Sequence, residues 1–440
     1  MNLFDNYKPV LYKLPKSNDD IFKYDLNAQF SSNIDYPKFS LGFHHFIHQN
    51  KDKMEIVNQF KNKKKVYYVL NNFERYIDDY EQDIGNTSIK YFDTEKKPNI
   101  LSRAFYKLWE LIYMFDLIPN DQNNFQSIHL AEAPGSFRQA TMFYRDMFSK
   151  KSKNDKYYAI SLYSNKDEIP ELNKKFYEFY DKEKPQRISN YKTSKQNNGD
   201  LTNPNIIKKY VDSFKNNKVK FITADGGFNW NNENTQEQEA LRLILGQIIT
   251  ALQLQEKNGH FVIKIFESFT MTTVKLISIL NACYKEVYIV KPFTSRPSNS
   301  EKYIVCKFFN NISKSNIKNL MDLLGNLYNN TALNLVDIFP DYTPNNNFLS
   351  TIIKSNTVIS NIQLIHINQI VDYIKKQNYR GNTYQTFRDK QILASKWWIS
   401  TFFPSSKDYD KYKSFMLKNI DHLVKSNIDI VSSFEKKITF

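Results

Sequence analysis

Lys107, Asp225, Lys264 and Glu301 are far apart in this 440-residue chain, yet each has a distinctive setting. These settings are SRAFYKLWEL (102–111), FITADGGF (221–228), GHFVIKIFE (259–267) and SRPSNSEKYIVC (295–306). Two lysines with two carboxylates can strip a proton from a poor nucleophile such as a hydroxyl during an in-line transfer. A lysine serves as a base only when its pKa falls toward neutrality, and a second ammonium nearby lowers it. The carboxylates then orient the lysines and balance their charge. Lys264 is the sharpest of the four, because it interrupts an otherwise apolar strand. Burying an ammonium there is costly unless it is paired or neutralised. Read alone, Lys107 is a surface helix residue and Asp225 a turn residue before Gly226–Gly227.

Several elements must bring these groups together. HLAEAPGSFRQA (129–140) reads as a first strand, a Pro134–Gly135 turn and a helix with Phe137, Ala140, Met142, Phe143 and Met147 toward one side. A glycine at that point lets the backbone approach a nucleoside ligand closely. Further strands are expected over about 156–163, near 188–192, and over VKFITADGG, GHFVIKIF, EVYIVKPF and KYIVCKFF, the last two as an antiparallel hairpin. GDLTNPN opens a helix with Thr202 or Asn203 as its N-cap. Helices are expected at 100–118, 235–256 and 270–284. The apolar run of VKFITADGG suits a strand covered on both faces, as parallel sheets require. In such sheets function collects at the carboxyl ends of the strands, where Asp225 falls.

Residues from about 100 to 308 resemble the FtsJ-like ribose 2′-O-methyltransferases. Within that group they are similar to the mRNA cap 2′-O-methyltransferases of eukaryotes and large cytoplasmic DNA viruses. SRAFYKLWEL, AEAPGSF, GDLTNP (199–204), TADGGF, LILGQIITAL (243–252), GHFVIKIF and the long KPFTSRPSNSEKYIVCK (291–307) carry the resemblance. It implies an α/β, Rossmann-like fold with a mostly parallel seven-stranded sheet flanked by helices, plus mainly helical N- and C-terminal extensions. It implies S-adenosylmethionine as methyl donor and a catalytic tetrad on Lys107, Asp225, Lys264 and Glu301, with Lys264 as general base. The donor site falls on Glu132, Ala133, Pro134, Gly135, Ser136, Phe137, Ser161, Asp200 and Asp225. The strip before Glu301 places Arg296, Ser298 and Asn299 where RNA must enter, and Arg296 alone in it can grip a phosphate bidentately. A structural ion pair is the alternative for Arg296. Two departures stand out. The turn reads Pro134-Gly135-Ser136 where the family has Pro-Gly-Gly or Pro-Gly-Ala. YYAISLYS offers Ser161 and Ser164 but no carboxylate before Asp167 to hold the donor ribose. The chemistry requires no metal.

The expected activity is methylation of the first transcribed nucleotide of capped mRNA. The alternatives are the same chemistry on ribosomal or transfer RNA, and a non-catalytic RNA-binding scaffold. Association with other capping or transcription proteins is compatible with the resemblance. Lys and Arg total 61 against 46 Asp and Glu, a net charge of +15, which favours a polyanionic partner such as RNA. The bland alternative is a lysine-rich surface. The two cysteines, Cys283 and Cys306, lie in apolar settings and read as reduced core residues. With no apolar run of membrane-spanning length and no signal-peptide pattern, a cytoplasmic location is expected, including a viral factory or virion, with the nucleus left open.

Three regions are expected: an extension over 1–95, the methyltransferase domain over 96–310 and a helical region over 311–440. The first begins irregularly and continues as charged helices over 50–82, with KNKKKV (61–66) as a solvated face. His44 and His48 have the i,i+4 spacing of a metal-binding pair, but no acidic third ligand stands near them in sequence, which favours a structural or surface role. The third region carries helical patterns near 313–329, 361–377, 384–400 and 408–425. Of the adjacent Trp397 and Trp398, at least one is expected in the core.

Overall fold

The computed structural model describes residues 3–438 apart from 18, 61–62, 64, 76–79, 165–168, 184 and 228–232. Asp167 and much of KNKKKV therefore lie outside the described residues. In chain order the first elements are β1 (Val10–Lys13), β2 (Gln29–Ser31), α1 (Leu41–Asp52), α2 (Lys65–Tyr68) and α3 (Ile84–Tyr91). The central part comprises α4 (Ala104–Phe115), β3 (Gln126–Leu130), α5 (Ser136–Phe148), β4 (Lys156–Ile160), α6 (Lys174–Glu183), β5 (Ile188–Asn190), α7 (Pro204–Ser213) and β6 (Val219–Ala224). It continues through α8 (Gln236–Leu254), β7 (Gln255–Ile265), α9 (Met271–Cys283), β8 (Tyr284–Lys291) and β9 (Lys302–Phe309). The chain then forms α10 (Lys314–Asn329), β10 (Asn334–Asp337), α11 (Asn346–Lys375), α12 (Asn382–Phe402) and α13 (Tyr409–Ile438).

The main sheet runs β1-β8-β9-β7-β6-β3-β4-β5. Pairings from β5 through β4, β3 and β6 to β7 are parallel, whereas β9 runs antiparallel to both β7 and β8. This is a doubly wound Rossmann-like sheet, with its switch point between β3 and β6. Strand alternation builds a core on each face. Ile222, Ile263 and Ile304 pack with Leu245 and Ile248 of α8, Leu280 of α9 and Leu324 of α10. Their neighbours Phe221, Val262 and Val305 pack with Trp109 of α4, Tyr144 of α5 and Trp398 of α12.

The sheet has eight strands where seven were expected. The extra one is β1, paired antiparallel to β8 from Val10↔Lys291 to Lys13↔Tyr288. Four residues between Pro9 and Pro15 give almost no periodic signal, and prolines are tolerated only at the margin of such an edge strand. A separate pair, β2 and β10, joins the two terminal regions. The long α11 begins fifteen residues before the expected 361, at Asn346. Its first half, NNFLSTIIKSNTVISN, is rich in weak helix formers, and burial of Phe348, Ile352 and Ile359 overrides their preference. No described helix is long and apolar enough to cross a membrane.

Candidate active site

The four charged residues converge. Lys107 sits on α4, whose other faces are almost wholly buried. Its Nζ lies 2.7 Å from Glu301 Oε1. Lys264, near the end of β7, donates to the Asp225 carbonyl at 2.9 Å and lies 3.2 Å from Asp225 Oδ1. Asp225 follows β6 directly, at the switch point. Burial pushes the Glu301 carboxyl up, but the Lys107, Lys264 and Lys291 ammoniums outweigh burial and hold it at about 2. Glu301 therefore stays ionised and feels both tetrad lysines.

Beside Lys264 and Asp225 opens a cavity of about 620 Å³. Glu132, Ala133, Pro134, Ser136, Phe137, Ser161 and Asp200 all line it. Asn203 caps α7, its side-chain oxygen accepting from the Asn205 amide while its side-chain nitrogen donates to the Tyr328 hydroxyl at 3.1 Å, and this cap ends the loop that carries Asp200. The Asp200 carboxylate accepts from the amide and hydroxyl of Thr202, both at 2.8 Å. Ser161 Oγ accepts from the Ala133 amide at 3.2 Å. Glu132 takes the Arg138 amide on Oε1 at 2.8 Å, while among the described residues its buried Oε2 has no hydrogen-bond partner. Burial pushes this carboxyl up to about 8 despite the Arg138 amide and guanidinium. Gly135 sits at φ +119, and a Cβ there would meet Leu101 Cδ1 at 3.2 Å. That backbone conformation and the Leu101 contact both favour glycine there.

A second cavity of about 730 Å³ lies on the Glu301 side and is lined by Tyr67, Tyr68, Arg296, Ser298 and Asn299. Phe266 borders both cavities. Arg296 is already engaged. Its Nε lies 3.2 Å from Glu74 Oε2, and its guanidinium stands over the Tyr68 ring at 3.9 Å from the centroid. Asn299 Oδ1 accepts from Lys291 Nζ at 2.9 Å, and the Ser298 carbonyl accepts from Gln363 of α11 at 3.2 Å.

Several contributors were not anticipated. Tyr303 donates its hydroxyl to Asp225 Oδ1 at 3.0 Å. Its place two residues after Glu301, at the start of β9, was a usable signal. Lys291, fully buried, fastens the strip through the carbonyls of Asn299 and Glu301, at 2.9 and 2.8 Å. Burial lowers it to about 7 although Glu301 pulls the other way. Glu110, one helical turn beyond Lys107, accepts the amides of Phe293 and Thr294, at 2.7 and 2.9 Å, and the Thr294 hydroxyl at 2.6 Å. Trp398 Nε1 completes that set at 3.0 Å. Trp398 is a buried core residue, and the half-buried Trp397 packs against the same core through Tyr7, Phe73 and Phe293. Both cysteines are buried and unpaired.

The histidine expectation needs correction. His48 Nε2 lies 3.0 Å from Glu267 Oε2, so an acidic partner does stand beside the pair. It is 219 residues away in sequence, beyond the reach of local spacing.

Asp225 at the switch point of a doubly wound sheet, with Lys264, Lys107 and Glu301 beside it and a cavity on either side, occupies the place where such sheets bind ligands. Residues 100–309 match the sequence model of the FtsJ-like methyltransferase family, and this segment is an FtsJ-like methyltransferase domain. The chain is 26% identical over 420 residues to an uncharacterized protein of Acanthamoeba polyphaga mimivirus, covering 89% of this chain and 49% of that protein. It is 30% identical over 211 residues to cap-specific mRNA (nucleoside-2′-O-)-methyltransferase 1 of Drosophila melanogaster, covering 45% of this chain and 26% of that protein. The Dictyostelium discoideum protein of the same name is 37% identical over 160 residues, covering 36% of this chain and 21% of its own length. The chain thus spans half or less of these relatives.

Proposed function

We propose that this protein transfers a methyl group from S-adenosylmethionine to a ribose 2′-hydroxyl of RNA, with the 5′ end of capped mRNA as substrate. The observation that carries this reading is the tetrad's position between the two cavities. Lys264 and Asp225 border one, and Glu301 borders the other. The relatives named as cap-specific methyltransferases support the choice of substrate.

The residues of the first cavity fit the donor. The partnerless Glu132 Oε2 suits an ammonium, and the Asp200 carboxylate suits a nucleoside amine or hydroxyl. When bound, the donor supplies an electrophilic methyl on a sulfonium. Lys264 Nζ takes the hydroxyl proton as the new O–CH3 bond forms and the S–CH3 bond breaks. Asp225 aligns Lys264 and is itself held by Tyr303. Glu301 fixes Lys107 beside the reacting ribose. Alignment in such a displacement supplies much of the rate. The RNA enters the second cavity, whose wall Tyr67, Tyr68, Arg296, Ser298 and Asn299 shape.

Methyl transfer should be assayed on short RNAs bearing a 5′ cap, a 5′ triphosphate or a ribosomal-type fold. Incorporation at the first transcribed nucleotide of capped RNA alone is expected. Preference for the structured RNA would replace the substrate assignment, and no incorporation into any would overturn the activity.

A further inference from the structure

Among the described residues, a cluster of His44, His48 and Glu267 lies outside the tetrad and its cavities and has no part in the proposed methyl transfer. His44 and His48 lie one turn apart on α1, with ring centroids 3.9 Å apart. The Glu267 carboxylate reaches them from the segment just past β7. One ligand-type atom from each residue lies within 4.8 Å of the other two. From these distances we propose that His44, His48 and Glu267 form a site for a borderline divalent cation of the zinc class, pinning α1 to the exit of β7.

The donor chemistry decides the ion class. Two imidazoles and one carboxylate suit zinc or cobalt better than magnesium or calcium, which prefer all-oxygen shells. Helical i,i+4 histidines present two nitrogens on one face, and a third ligand from elsewhere completes a facial set with an open position. The existing separation is close to what an ion needs. His48 Nε2 and Glu267 Oε2 are 3.0 Å apart. An ion about 2.0–2.1 Å from each atom would subtend an angle of roughly 95° there, and a small outward motion brings it to a tetrahedral value. Glu267 is 3% exposed at its side chain, so its position is fixed by packing. Among the described residues, the His44 ring makes no hydrogen bond. It packs edge-on against Phe269 at 5.4 Å, which holds the imidazole in the cluster without satisfying its nitrogens.

Lys51 is the competing cation. Its Nζ lies 2.6 Å from Glu267 Oε1, on the opposite oxygen from His48. The carboxylate can therefore hold Lys51 on Oε1 and an ion on Oε2 together, but the ammonium weakens the second contact by like-charge repulsion. That placement makes Lys51 a control on affinity. Removing its charge should tighten the site, whereas a simple His–Glu–Lys ion-pair network would only lose stability.

The test uses the untagged full chain, stripped with chelator and titrated with Co²⁺ alone and then Zn²⁺ alone. One Co²⁺ per chain is expected, with the visible d–d absorption of a nitrogen–oxygen site, displaced by one Zn²⁺. Zn²⁺ should raise the melting temperature, since an ion bound only to the folded state stabilises it by mass action. His44→Ala, at a half-buried position, should weaken binding by about tenfold or more while the chain stays folded. Lys51→Met should strengthen it. Absence of stoichiometric Co²⁺ binding to the folded wild type overturns the proposal. So does binding that His44→Ala and His48→Gln both leave unchanged. None of these readouts depends on methyl transfer, so the site stands or falls apart from the proposed activity.

Discussion

At the scale of single residues, Lys264 and Glu132 bear the sharpest expectations. Lys264→Ala should abolish turnover while donor affinity, measured by calorimetry, stays within a few-fold. Lys264→Arg should fail too, because a guanidinium keeps its proton at working pH. A Lys264→Ala enzyme with even a tenth of wild-type turnover would show that the base lies elsewhere. For Glu132 burial raises the folded pKa to about 8, above the ordinary 4.5 of a free glutamate. Its contribution to stability is therefore full below about 4.5 and is lost as the pH rises through about 8. At pH 7 the free protein holds this carboxyl mostly protonated. A donor ammonium seated on Oε2 should drive ionisation, so binding should release a proton. Calorimetry at pH 7 in buffers of different ionisation enthalpy measures that release, which Glu132→Gln should abolish.

At the scale of elements, the strip between β8 and β9 is the part most dependent on distant support. Lys291 ties it from below, Glu74 holds Arg296 and Arg103 from the side, and Glu110 clasps its start. Arg296→Ala should therefore lower folding stability by about 1–3 kcal/mol, the cost of charged hydrogen bonds at a mostly buried carboxylate. The salt dependence of RNA binding should stay as in wild type. A slope reduced by about one unit with an unchanged melting temperature would instead mean that Arg296 meets a phosphate. This strip also shows where sequence reasoning stops. Glu301 and Arg296 were legible because their types and neighbours are unusual. Glu74, more than two hundred residues upstream in an unremarkable NNFERY, became a partner only through folding. Glu267 escaped for the same reason, whereas the parallel strands announced themselves through long apolar runs. β1 did not, because four residues carry no period.

At the scale of the whole molecule, the net charge of +15 should set how RNA is held. Each phosphate met on a single strand contributes about −0.7 to the slope of log affinity against log salt. A slope steeper than about −2 is expected for a capped oligonucleotide by fluorescence anisotropy. A flat response would leave the lysine excess as surface solvation alone.

Trp398 reaches across from α12 to the carboxylate that clasps the strip, and Trp109 of α4 donates to the Phe402 carbonyl in return. The helix bearing Lys107 is therefore finished by residues made almost three hundred positions later. On the ribosome, the segment matching the FtsJ-like family emerges before α12, whose Phe402 and Trp398 complete the helix carrying Lys107, the lysine proposed to stand beside the ribose. Nascent chains stalled after residue 310 should thus carry a sheet without competent chemistry, and competence should arrive late and all at once, as α12 leaves the exit tunnel. Synthesis itself would then act as the timer that keeps an unfinished enzyme from spending its donor.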